Sequence, residues 1–204
     1  MEQYAGFQIG HHLTKRRLVF GCGNPLFGDD GFGAQVIEHL LKSCTIPDDV
    51  AVLDVGTTVR DMLFDILLSP RKPGEIIIVD AMEVAGGVPG QIFAIDIDQI
   101  HPAKLSDFSL HQFPTTNMLK EIRQGTDIRI HILVVHPGIL PGEVQPGLSL
   151  AVAAAVPEMC GRIMALLQRP GGCAGLAPHG FRCQGERMTG ARNHSFAERH
   201  GEVQ

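Results

Sequence analysis

Tryptophan is absent and tyrosine occurs once, so the aromatic platforms that stack single-stranded bases have little to be built from. Excess positive charge is lacking too. Seventeen Lys and Arg against 22 Asp and Glu leave a net charge of −5 and a pI near 6.0, the wrong sign for a phosphate-binding face. No nucleic-acid partner is expected. No uninterrupted apolar run approaches the ~18 residues of a membrane span, and the N-terminus lacks the apolar stretch of a secretory signal, so no membrane partner is expected either. Cys22, Cys44, Cys160, Cys173 and Cys183 are odd in number, scattered, and include no C-x-x-C pair. That usage favours reduced thiols and a cytoplasmic location. Neither H-E-x-x-H nor G-x-S-x-G occurs.

What is present suits a globular chain. The 204 residues are 44% hydrophobic and 19% charged, enough for one sizeable core. Residues 1–16 are mostly polar and read as a flexible arm whose end, with His11, His12, Lys15, Arg16 and Arg17, is a solvated basic cluster. Residues 17–169 carry the periodic patterns of a single α/β domain. Residues 170–204 hold seven glycines and few strongly apolar side chains, the composition of a disordered tail.

Between these ends, apolar runs at 18–20, 50–55 and 75–80 alternate with helical patterns near 31–43 and 59–67. Strand, helix, strand, helix, strand implies a parallel sheet with right-handed crossovers. A strand at 91–97 follows without a helix and is expected antiparallel beside the third strand. A short helix at 114–123, a strand at 128–135, a Pro- and Gly-rich loop at 136–147 and a long helix at 150–167 complete the pattern. Pro157 should kink that last helix or delay its start. The expected fold is a three-layer α/β sandwich: a mostly parallel twisted sheet, helices on both faces, one antiparallel strand.

The chemistry gathers where the strands end. After the first strand the chain reads Gly21-Cys22-Gly23-Asn24-Pro25-Leu26-Phe27-Gly28-Asp29-Asp30-Gly31-Phe32-Gly33. A dinucleotide reading fits poorly because the third glycine of G-x-G-x-x-G falls on Leu26, and two carboxylates would repel a pyrophosphate. One of the two Asp residues should cap the following helix, leaving the other for the crevice at the carboxyl ends of the strands. Asp54 closes the second strand and Asp80 the third. Carboxylates so gathered need a cation, a shared proton or a basic partner. His111, in the irregular stretch before the short helix, is the candidate imidazole. Carboxylates with one imidazole suit zinc, nickel or manganese. Cys22 is positioned to be a nucleophile, without a local pattern to support it.

This opening motif resembles that of the nickel–iron hydrogenase maturation endopeptidases. So do Asp54-Val55-Gly56-Thr57, Val79-Asp80-Ala81 with Gly90, His111-Gln112, and Gly138-Ile139-Leu140-Pro141. The resemblance runs from Leu18 to Leu167. The segment His111 to Asn117 is most similar to the branch acting on deazaflavin-reducing hydrogenases. It implies a hydrolase that removes the C-terminal extension of a hydrogenase large-subunit precursor after nickel insertion. It implies that Asp30, Asp80 and His111 contact nickel carried by the precursor, and that Asp54 serves catalysis or substrate recognition. Asp30 stands where the family often has Glu. A monomer is expected. The other readings of the same residues are a non-catalytic nickel chaperone or sensor, and a nucleotide-binding module.

Overall fold

Five consecutive buried residues from Glu75 to Val79 begin the strand beside which the sheet is assembled. A β-branched run buried on both faces is what a central parallel strand requires. The computed structural model describes residues 14–96 and 113–169. In chain order these form β1 (Arg17–Cys22), a short 3-10 turn (Gly28–Gly31), α1 (Phe32–Ser43), β2 (Val50–Gly56), α2 (Val59–Leu68), β3 (Glu75–Ala81), β4 (Ile92–Ile95), α3 (Phe113–Gly125), β5 (Arg129–Val135) and α4 (Leu150–Leu167). The strand order is β2-β1-β3-β5-β4, parallel except for the antiparallel pair β4 and β5. The antiparallel strand therefore pairs with β5 rather than β3, because β5 takes the place beside β3 as a longer parallel strand.

Period-2 alternation splits the core in two. Val19, Ile77, Val79, Leu133 and Val135 face α1 and α4, which add Phe32, Val36, Leu40, Val152, Met159 and Ile163. Leu18, Phe20, Cys22, Ile76 and Ile78 face α2 and α3, which add Met62, Leu63, Ile66, Leu119 and Ile122. The result is the expected three-layer sandwich. Both clusters are drawn from side chains that alternate along the same strands, so a one-residue slip would exchange them.

One further expectation is corrected and a second is narrowed. Arg17 is not a solvated charge: its guanidinium forks onto Asp49 at 2.7 and 3.0 Å and donates to the carbonyl of Leu167, tying β1 to the end of α4. Helix α4 begins at Leu150 and contains Pro157, so the proline does not delay it. That helix is also 18 residues long with mean hydropathy 1.6, long and apolar enough to cross a membrane by length and composition. Its sequence is apolar because one face is core, where Val152, Val156, Met159 and Ile163 are buried. Residues 1–13 of the expected arm at 1–16, the tail at 170–204 and the strand end at Ile97 lie outside the described residues.

Two glycines bring α1 against the end of β1. A Cβ on Gly33 would lie 2.2 Å from the Cys22 carbonyl oxygen and 2.4 Å from its nitrogen, and one on Gly21 would lie 2.5 Å from the Gly33 oxygen. Backbone cannot yield as a flexible side chain does. Gly33→Ala is therefore expected to destabilise the chain by about 2–3 kcal/mol, the range of overpacking, read as a lower urea midpoint at unchanged m-value.

Candidate active site at the carboxyl edge of the sheet

The chain leaves β1 to form β2 on one side, then returns to form β3 on the other. Loops from neighbouring strands thus diverge between β1 and β3, the switch point at which open α/β sheets hold ligands. Register brings the strand ends level. Gly21 pairs with Asp54 on β2 and with Val79 on β3, so Asp80 lies beside Cys22. Asp30 reaches the same place from the loop after β1. Its Oδ2 accepts the Asn24 N–H at 2.7 Å. That carboxylate takes a backbone donor of the kind a bound phosphate would use, which counts against the nucleotide reading.

The charge of the edge registers on one thiol. Burial pushes the Cys22 thiol well above its ordinary pKa, and the charges of Asp80, Asp54 and Asp30 push it further. A protonated, buried thiol is a poor nucleophile, so Cys22 is not the attacking group. Strand register sets Asp54 and Asp80 on either side of β1, and Asp30 joins them along this edge from the following loop. Asp54 is exposed, with Oδ1 accepting the Gly56 N–H at 3.1 Å. Asp80 is partly exposed, with Oδ1 accepting the Ala81 N–H at 2.8 Å. His111 lies outside the described residues. Among the described residues no three His, Cys, Asp or Glu side chains are grouped to hold a metal ion.

Asp29 and Asp30, adjacent in sequence, have opposite tasks, and neither side chain caps α1. Asp29 is fully buried. Its Oδ2 accepts the N–H groups of Gly138 and Ile139, both at 2.8 Å, and the Ser149 hydroxyl at 2.9 Å, while Oδ1 accepts the Ser149 N–H at 2.6 Å. Burial raises its pKa, but these four bonds outweigh it and hold the carboxyl below its usual value. Asp29 therefore fastens the 138–149 loop and the start of α4 to the loop that carries Asp30. Nothing in a repeated Asp reveals which copy turns inward. The other buried carboxylate among the described residues, Glu75, lies at the opposite edge against His131 Nε2, at 3.0 Å, and takes no part.

The imidazole of His136 at the end of β5 was not foreseen as part of this edge. Its Nδ1 accepts the Val84 N–H at 3.0 Å, and it lines an open cavity of about 540 Å³ with Glu83, Val84 and Ala85. The signal available in sequence was its place directly after a strand.

The hydrogenase maturation protease family model matches residues 34–166. The chain belongs to the hydrogenase maturation protease family. As a member it is a hydrolase, an endopeptidase of the group that acts on hydrogenase large-subunit precursors. It is 36% identical over 140 residues to a hydrogenase maturation protease homologue of Methanocaldococcus jannaschii, covering 68% of this chain and 88% of the relative. It is 34% identical over 149 residues to the coenzyme F420 hydrogenase subunit delta of Methanothermobacter thermautotrophicus, covering 69% and 87%. Among solved structures it matches the Escherichia coli hydrogenase maturating endopeptidase HybD with a TM-score of 0.62 and 28% identity, over 75% of this protease and 92% of that chain.

Proposed function

We propose that this maturation protease reads the nickel of its precursor with Asp30, Asp80 and His111, and cleaves only when that nickel is in place. The observation that carries this reading is the convergence of Asp30, Asp54 and Asp80 on the switch-point crevice, beside the thiol of Cys22. Carboxylate oxygens and an imidazole nitrogen match a borderline divalent ion. The described donors are too few to hold a metal ion alone. In this reading a nickel already ligated by the precursor brings its own ligands to these side chains, and an empty precursor gives the carboxylates nothing to bind.

Cleavage adds water across one amide: hydroxyl to the carbonyl carbon and a proton to the departing amine. A metal-polarised carbonyl or metal-activated water is the physically simplest route, with the nickel arriving as part of the substrate. Asp54, exposed at the same edge, orients the precursor chain or the water. The likeness to the F420 hydrogenase subunit supports a deazaflavin-reducing hydrogenase precursor as the substrate. The reaction would take place in the cytoplasm on a monomeric enzyme.

Intact-mass measurement on such a precursor, nickel-loaded and nickel-free, tests this reading. Loss of a C-terminal peptide from the loaded form alone is the expected result. Cleavage of both forms would remove the checkpoint. Retention of full mass with nickel still bound to this protein would favour a chaperone.

A further inference from the structure

Four large apolar side chains stand exposed on one doubled loop beside the site: Leu26 (48%), Ile139 (47%), Leu140 (45%) and Val144 (65%). The two halves of this loop are laced together. Phe27 and Gln145 form a parallel bridge, Gly28 N–H donates to the Gln145 carbonyl at 2.8 Å, and Gln145 N–H donates to the Leu26 carbonyl at 2.8 Å. Asp29 N–H donates to the Ile139 carbonyl at 3.0 Å, and its carboxylate holds Gly138 and Ile139 from beneath. Pro137, Pro141 and Pro146 further restrict the backbone. The chain thus buries a carboxylate to hold apolar side chains in water. Exposed apolar patches of this kind mark interaction surfaces, and a rigid one loses little entropy when a partner docks.

We infer that this doubled loop is the docking surface for an uncharged, apolar segment of the hydrogenase precursor flanking the cleavage point. The inference rests on the proposed reading of the crevice. Asp30 follows the clamped Asp29 directly, so whatever covers the patch adjoins the site. Glu143 is the only charge within 24–28 and 138–145, so the surface selects for neither an acidic nor a basic segment. A second copy of this chain is the poorer occupant, because it would lie over the loop that carries Asp30 and obstruct the crevice it serves. Phe64 and Leu68, exposed on α2, belong to an element that no such lacing joins to the loop.

The test uses the full chain and a nickel-loaded precursor, reading equilibrium binding, cleavage and sedimentation. Leu140→Ser with Val144→Ser should raise the Kd by about 10-fold or more, the loss expected on removing two central apolar contacts, while the melting temperature holds. Leu68→Ser, toward the other end of α2, should leave the Kd within about twofold, the ordinary scale of a surface change. An unchanged Kd in the double variant overturns the inference. So does an equal loss in Leu68→Ser, an absence of binding by the native chain, or a native dimer that the double variant splits without changing precursor affinity. Patch-dependent binding without cleavage supports the docking surface and overturns the endopeptidase reading instead.

Discussion

Asp80→Asn is expected to lower kcat/KM for the nickel-loaded precursor by at least about 100-fold, the scale of losing a charged group placed at the reacting centre. Shape is conserved: the Asn oxygen can still accept the Ala81 N–H that Asp80 accepts at 2.8 Å. The change is nearly isosteric at a partly exposed site, so the melting temperature should hold within ~2 °C. Asp30→Asn should behave alike, since the Asn oxygen can still take the Asn24 N–H. Steady-state processing followed by mass, beside thermal melts, separates the two effects. Native rates in both variants would take these residues out of the site.

Asp29→Ala is expected to produce the largest loss of stability, about 3 kcal/mol or more. Removing an acceptor from buried donors costs ~1–3 kcal/mol for each donor left without water, and four donors converge on this carboxylate. Asp29→Asn should be milder, because an oxygen in the Oδ2 place keeps three of the four donors and the amide opposes only the Ser149 N–H. The effect is read as a drop in the denaturant midpoint at constant m-value. Because the folded carboxyl titrates below the unfolded one, near pH 3.9, its stabilisation is complete above about pH 4 and is lost as pH falls through the folded value. The native chain should therefore lose part of its stability in that acid window, and the Asp29 variants should lose less. Identical acid profiles would show that the clamp does not depend on charge. Processing should also fall in these variants, since the loop they release lies against Asp30.

Most of the helices and strands were legible because their signal is local. The β-branched run at 75–79 reads as a buried strand wherever it lies, and Val152, Val156, Met159 and Ile163 mark a helical face. The antiparallel nature of β4 was legible from the missing crossover helix, but its partner was not. Partner choice is a long-range matter: β5, later in sequence, lies against β3, and β4 pairs outside it. Cys22 looked available as a nucleophile because its burial and the three nearby acids are consequences of packing. Arg17 looked solvated because Asp49 and Leu167, 32 and 150 residues away, are invisible to local composition.

By itself the sequence determined that acids follow or close three parallel strands, and parallel strands must present their carboxyl ends on one edge. It also carried ordered motifs that resemble one protease family, and the family was borne out. Tertiary structure alone decided that β3 lies on the other side of β1 from β2, which opens the crevice between them. It alone decided that Asp29 turns inward and Asp30 toward that crevice. Both residues occupy one short 3-10 turn, where side-chain direction follows from the partners supplied at 138–149, 109 to 120 residues further on. Periodicity reports only on neighbours a few residues apart, so a contact across that separation exists only once the sheet is assembled.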